Sequence, residues 1–466
     1  MTGRRKYVFA HFMVGNTYPY TAHDWEQDLI DCRERARLDG FVLNVGPEEW
    51  QRDRVLDCFA TAAAMQSPLK FFLSFDMSSI PSSTRSDVDH LASYMARLAH
   101  HPNMFRYPDE ERVVISTFAG QDATFGCSHL DEAWGMVKRR LEAHSPGPIT
   151  LIPAFFIDPN RYPTLASMDG YFHWNGGWPL HLSPTSHRRE IEKPALDSDV
   201  HHLRHLEGRP YMAAVSPWFF THYGKDSWNK NWIYRGDDWL YVRRWEKLLA
   251  MRDQVDIVQV ISWNDYGECH YIAPVRGAQP NSQAWVDGFP HEPWMAPTTY
   301  FARAFREGHH PPVEKDQIFM WARPHPKDAE ARNDNVPRPD NWELTDDKFW
   351  VVVLATAPAT VRLSTSVDGE DTSPAEEPKP SRSFTSRLKD TFRGRGHSNR
   401  GSSREGAVHH IQAGVTKLSH SLHPGHGMQA IMERDGDVVA RCAPAEFRFE
   451  AEPEVYNFNA YVAQSE

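Results

Sequence analysis

The chain has 466 residues, 40% of them hydrophobic and 24% charged, an ordinary globular composition with room for one large domain and a smaller one. Its formal net charge of -11 argues against a nucleic acid or an anionic membrane as partner, since both select a basic surface, and it suits a neutral substrate. No run approaches the ~18 consecutive apolar residues of a membrane span, and MTGRRKYVFAHFMVGN has no long apolar leader segment, so the sequence as written is expected to be cytoplasmic.

From residue 7 to about 310, apolar runs of strand length alternate with amphipathic stretches. The runs are 7–14 (YVFAHFMV), 40–45 (GFVLNV), 70–76 (KFFLSFD), 112–118 (RVVISTF), 149–156 (ITLIPAFF), 169–174 (DGYFHW), 210–216 (PYMAAVS) and 256–263 (DIVQVISW). Near-continuous apolar runs mark strands buried on both faces, as in a parallel sheet. Helical patterns fall at 23–38, 51–66, 86–100, 131–144 and 237–252. In the last of these, Trp239, Val242, Trp245 and Leu249 share one face, and Asp237 is the expected N-cap. Eight strands, each followed by a helix or long loop, predict a (β/α)8 barrel over residues 1–310. A doubly wound sheet would carry a glycine-rich phosphate loop after its first strand, and HFMVGNTYPY has none.

Beyond residue 310 the pattern changes to short β-like runs: QIFMWAR, FWVVVLATA, TVRLSTS, AVHHIQAG, QAIMERDGDVVAR and EVYNFNAYVA. With turn signals such as Asp435-Gly436, they predict a β-sandwich domain over 311–466. Within it, 366–406 is rich in Ser, Arg, Glu and Pro and is expected to be a disordered insertion, because it has too little apolar surface to offset its ordering entropy. The five cysteines show no C-x-x-C spacing and read as reduced thiols. Adjacent histidine pairs do not converge on one ion, and neither H-E-x-x-H nor G-x-S-x-G occurs, so neither a metal nor a serine nucleophile is expected. His420, His423 and His426, at three-residue steps, are a weak metal signal.

A barrel of this kind carries its active site at the C-terminal ends of its strands. The residues placed there include His11, Asn44, Asp76, Phe118, Phe156, Trp174, Asn175, Trp178, Trp218 and, densest of all, the run 262–272, SWNDYGECHYI. Hydrolysis of a glycosidic bond needs one carboxylic acid for the leaving oxygen and a second carboxylate opposite it. Asp265 and Glu268 lie three residues apart around Gly267. A strand ending in a glycine-permitted turn would set them between the ~10 Å of an extended chain and the ~5–6 Å of a helical turn. That range includes the ~6.5–9.5 Å gap of an inverting pair. The same spacing also suits two carboxylates that merely cap a helix or a loop amide. Asp76 either meets a substrate hydroxyl, acts as a third carboxylate or caps its loop. His11 is a rim residue that either binds substrate or belongs to the core. Aromatic faces would stack on sugar C–H faces while amides such as Asn44, Asn175 and Asn264 bond the hydroxyls.

The segments YVFAHFMVGN, WEQDLIDCRERARLDGFVLNVG, KFFLSFDMS, DGYFHWNGGWP, YMAAVSPWFFTHY, KNWIYRGDDWLYVRRW and SWNDYGECHYIAP resemble, in order and over about residues 7–310, the fungal α-1,3-glucanases (mutanases) of glycoside hydrolase family 71. IFMWARPHP resembles the β region that closes the family's sequences. The resemblance implies inverting, cofactor-free, endo-acting hydrolysis of cell-wall α-1,3-glucan, with the catalytic pair on Asp265 and Glu268. Cys269 stands where a small hydroxyl residue is expected. The longer reach of Glu268 suggests the general acid, and the placement of Asp265 nearer the rigid strand suggests the base. His11, Asn44, Asp76, Trp174, Asn175, Trp218, Trp263, Asn264, Tyr266 and His270 are the expected substrate-binding residues, and a monomer is expected. The competing reading is a catalytically silent glucan-binding or wall-organising protein. Loss of either carboxylate would have favoured it, and both are present.

Overall fold

The eight apolar runs of the first part pair side by side as parallel strands. The computed structural model describes residues 5–109, 111–365 and 406–465; the expected insertion at 366–406 lies, save for Gly406, outside the described residues. The barrel strands are β1 (Tyr7–Met13), β2 (Gly40–Val45), β3 (Lys70–Asp76), β4 (Val113–Phe118), β5 (Ile149–Ala154), β6 (Tyr171–His173) and β7 (Tyr211–Val215). A hairpin, β8 (Phe220–Tyr223) and β9 (Lys230–Ile233), follows β7, and β10 (Ile257–Val260) is the eighth barrel strand. They pair in the order β5-β4-β3-β2-β1-β10-β7-β6. The seam between β5 and β6 is drawn together by the amides of Asp169 and Gly170, which both donate to the carbonyl of Leu151 at 3.0 and 3.1 Å.

Side chains alternate across each strand. One set, with Phe9, Val42, Phe72, Val114, Ile152, Phe172, Met212 and Ile257, fills the barrel interior. The other set, with Val8, Ala10, Phe12, Phe41, Leu43 and Phe71, packs under the surrounding helices. Both faces are dry, which is why the strands read as continuous apolar runs. Toward the C-terminal ends the interior turns polar at His11, Asn44, Ser74 and Gln259, all buried.

Helices Glu49–Ala64, Val88–Leu98, Leu130–Glu142 and Leu240–Ala250 occupy four of the expected stretches. In the first stretch, helix Ala22–Ile30 starts on a capping box between Thr21 and Asp24 and passes into a π-helical turn, Asp31–Arg35. Asp237 is not an N-cap. The cap position of the Leu240–Ala250 helix is Trp239, and the Asp237 carboxylate is taken by Arg323 Nε (2.9 Å), Trp350 Nε1 (2.9 Å) and the amide of Asp346 (3.0 Å). Those partners are distant in sequence, so the local helix pattern could not reveal them.

They belong to a sandwich of two four-stranded antiparallel sheets. Its strands are β11 (Gln317–Ala322), β12 (Lys348–Ala355), β13 (Ala359–Ser364), β14 (Ala407–Ile411), β15 (Gly414–Ser421), β16 (Gln429–Arg434), β17 (Asp437–Cys442) and β18 (Tyr461–Gln464). One sheet runs β15-β12-β11-β18 and the other β14-β13-β16-β17. Inward residues of both, including Met320, Val351, Val361 and Met432, form their own apolar core. Strand β15 was not foreseen: Thr416, Lys417, Ser419 and His420 give it no clear apolar face. Sandwich and barrel dock through Arg323, the Trp239 indole on the carbonyls of Val351 and Leu418 (3.2 and 3.1 Å), and the Trp218 indole on the carbonyl of Phe458 (2.8 Å). Among the described residues the cysteines are free, and no helix is long and apolar enough to cross a membrane.

Candidate active site

After β10 the chain folds back on itself through residues 262–273. The amide of Trp263 bonds the carbonyl of His11 (2.7 Å), Ser262 the carbonyl of His270 (2.7 Å) and Ile272 the carbonyl of Ser262 (3.0 Å). A single 3-10 turn, Tyr266–Glu268, lifts the two carboxylates into the barrel mouth, each about one-fifth exposed. Gly267 is required there by close approach. A Cβ at that position would fall 2.0 Å from the Tyr223 hydroxyl on the hairpin.

The tight turn brings one oxygen of Asp265 and one of Glu268 closer together than the inverting gap expected between the two groups. An oxygen of each and a ring nitrogen of His270 lie within 4.8 Å of one another. His270 donates from Nε2 to Glu268 Oε2 at 3.2 Å and shares its Nδ1 with the Ser262 hydroxyl at 2.9 Å. The same hydroxyl accepts the amide of Asp265 at 2.9 Å. On the other side Lys230 Nζ donates to Glu268 Oε1 at 3.1 Å. The ammonium of Lys230 is held charged chiefly by Glu268, with Asp265 and Asp76 adding to the field. Asp265, Glu268 and His270 are near enough to share a divalent cation, and they are the one such group among the described residues. Glu268 Oε1, however, already takes an ammonium, whose positive charge repels a cation held by the same carboxylate.

Two carboxylates so close cannot share their charge equally, and their surroundings decide which keeps its proton. Burial, and then the negative Glu268, push Asp265 up to about 6. Burial also opposes ionisation of Glu268, but the hydrogen bond from His270 and the charge of Lys230 outweigh it and hold Glu268 down near about 2. This field favours the reverse of the roles suggested by side-chain reach: Asp265 binds its proton more tightly than Glu268 does.

Several expected binding residues do face the mouth. His11 takes Gln259 Nε2 on its Nδ1 at 2.8 Å and packs edge-on to Trp174 at 4.8 Å. Burial, assisted by His270, lowers its proton affinity to about 3, so it presents a neutral imidazole. Asn44 lies in the polar layer, its amide 3.4 Å from Ser74. Asp76 is at the rim, and one of its oxygens caps its own loop, the alternative expected for it, by accepting the amide and hydroxyl of Ser78. Trp174 and Asn175 are half-buried at the end of β6, and His270 sits beneath Glu268.

Four others do not. Trp263 is fully buried against Phe41, with its indole on Asp28 at 3.0 Å. The Tyr266 hydroxyl bonds the carbonyl of Pro274 and accepts the amide of Arg276. Asn264 uses its side chain as a rung to β1, accepting the amide of Met13 (2.7 Å) and donating to its carbonyl (3.1 Å). Trp218 joins the sandwich, as above. These buried residues spend their polar groups on the carboxylate-bearing turn and the domain junction. Of the three histidines at 420, 423 and 426, none joins a ligand group of three among the described residues.

The hairpin supplies what sequence reasoning missed. Lys230, Trp232 and Tyr234 are spaced by two, so they share one face of β9 and its continuation. Tyr234 packs on Phe219 at 4.3 Å and on Trp178 at 5.6 Å, and Trp178 meets Trp174 at 6.4 Å. Trp174 continues to Phe118 (4.9 Å) and Phe118 to Phe156 (5.5 Å), so an aromatic arc runs around this side of the mouth. The period of two in KNWIY was the available signal.

Residues 4–387 match the model of glycosyl hydrolase family 71. The chain is 36% identical over 366 residues to glucan endo-1,3-alpha-glucosidase agn1 of Schizosaccharomyces pombe, covering 78% of this chain and 81% of that protein. It is 32% identical to an ascus wall endo-1,3-alpha-glucanase of the same yeast, over 77% of this chain and 81% of the relative. A mutanase of Penicillium rubens is also 32% identical, over 77% and 74% respectively. With the barrel, the paired carboxylates in the turn after its eighth strand and this match across most of its length, the chain belongs to glycosyl hydrolase family 71.

Proposed function

We propose that the protein hydrolyses α-1,3-glucosidic bonds within fungal cell-wall α-1,3-glucan, with inversion at the anomeric carbon. The observation that carries this reading is the Asp265–Glu268 pair at the strands' C-terminal ends, in which burial and the Glu268 charge raise the proton affinity of Asp265 while His270 and Lys230 hold that of Glu268 down. Asp265, which holds its proton up to about pH 6, serves as general acid and protonates the glycosidic oxygen. Glu268 is the general base and takes a proton from the attacking water. His11, Asn44 and Asp76 offer donors and acceptors to the sugar hydroxyls, and Trp174 offers a ring face. No cofactor takes part.

Inversion needs a water between the carboxylates, and thus a gap of ~6.5–9.5 Å. The pair must therefore part when a sugar ring enters. Reducing ends released from insoluble α-1,3-glucan test the activity, and proton NMR of the first products tests the stereochemistry. The expected first product is the β-anomer. An initial α-anomer would show that the short separation is the working one and that the enzyme retains configuration. No release at all would leave the silent glucan-binding reading.

Lys230→Met is expected to move the whole pH–rate profile upward by about one pH unit. Without the ammonium both carboxylates bind protons more tightly. The acidic limb, where Glu268 must ionise, rises, and so does the alkaline limb, where Asp265 must stay protonated. Measuring kcat/KM across the acid range checks this, and an unshifted profile removes Lys230 from the mechanism.

A further inference from the structure

Large aromatic side chains stand out from the surface at three described positions: Tyr18 (72% exposed), Trp228 (53%) and Phe156 (39%). Singly exposed apolar residues need no explanation. These three share one location, because they lie on the loops that leave the C-terminal ends of β1, β7 and β5. Phe156 ends the arc already described. The other two lie outside it, and the strand order β1-β10-β7 puts the strands they follow on opposite sides of β10, which leads into the turn of Asp265 and Glu268.

Each is fixed to the catalytic turn. Tyr18 follows the turn Val14–Thr17, where Asn16 donates to the carbonyl of Asn264 at 2.8 Å and accepts the amide of Ala278 on its own carbonyl at 2.8 Å. Its ring stands edge-on to Trp50 at 5.5 Å. Trp228 is in the hairpin loop, edge-on to Tyr223 at 4.6 Å, and the Tyr223 hydroxyl bonds the carbonyl of Pro280 at 2.9 Å. Two residues farther on, Lys230 reaches Glu268. Edge-to-face packing steadies both rings while leaving faces open to solvent, and an aromatic face stacks on the C–H face of a pyranose.

We infer that Tyr18, seated on Trp50, and Trp228 are two outlying sugar platforms that grip the same α-1,3-glucan chain on either side of the cleavage point. The inference rests on the proposed glucanase reading and extends it. The occupant is a neutral, aromatic-binding polymer that must enter from one flank of β10 and leave by the other for internal cleavage. The platforms act on chains long enough to reach them.

The test compares Tyr18→Ala, Trp228→Ala and the double variant on insoluble α-1,3-glucan and on a short soluble α-1,3-linked glucotetraose, with thermal melting and co-sedimentation with the polymer. Each single variant is expected to lose roughly three- to tenfold in efficiency on the polymer relative to the tetraose. The loss should fall in KM, the double variant should lose about the product, and melting should be unmoved. Parental efficiency on the polymer, or an equal loss on both substrates, overturns the inference. A parent that binds but does not cut the polymer, with binding lost in the variants, upholds the platforms and sinks the glucanase reading. A parent that neither cuts nor binds it sinks both.

Discussion

Asp265→Asn and Glu268→Gln are each expected to lower kcat on α-1,3-glucan by ~10²–10⁴-fold, the usual contribution of a positioned acid or base. Both substitutions keep size and hydrogen-bonding shape, so folding should survive. A substrate with a good leaving group separates the roles. It needs little protonation, so it should restore Asp265→Asn far more than Glu268→Gln. The pH profile is a second readout. In the parent, activity should fall as pH rises through about 6, where Asp265 loses its proton. That alkaline limb should vanish from the residual activity of Asp265→Asn. Rescue of Glu268→Gln instead would return the acid role to Glu268, and full activity in either variant would move its role to another carboxylate, with Asp76 first.

Arg323→Met is expected to cost about 3–5 kcal/mol of stability, the range for removing one partner of a buried ion pair. Arg323 and Asp237 are almost fully buried between barrel and sandwich. The guanidinium also donates to the carbonyl of His325 (2.7 Å), the carbonyl of Asp346 (3.0 Å) and Asp347 (2.8 Å). Methionine fills much of the volume but leaves the Asp237 charge in a dry junction. Denaturant unfolding measures the loss. Adding Asp237→Asn should recover part of it, because the stranded charge is then gone. A loss below about 1 kcal/mol would show that solvent reaches the junction and screens the pair.

The barrel was legible because each strand is buried on both faces, so its sequence is apolar throughout. The hairpin was not, because its strands have only four residues each and fall within a segment that reads as loop and helix approach. The carboxylates were legible as a pair, but their relative proton affinities were not. Those depend on Lys230, 38 residues upstream of Glu268, reaching it across the mouth. Direction was the other failure. Trp263, Tyr266 and Trp218 were placed correctly at strand ends and loops, but a change of one residue in phase sends a side chain to the opposite face. The buried Asp28 that receives the Trp263 indole lies 235 residues away in the chain, and only the folded molecule shows it.

The charge that separates the two carboxylates is delivered by the β8–β9 hairpin, which takes no part in closing the barrel. The two carboxylates and the charge that separates their proton affinities are therefore inherited on different segments. A relative could keep the Trp-Asn-Asp-Tyr-Gly-Glu turn unchanged and still operate in a different acidity range by changing one residue of that hairpin. Natural adaptation to acidic or neutral surroundings, and deliberate retuning by loop exchange, have the same short segment to act on.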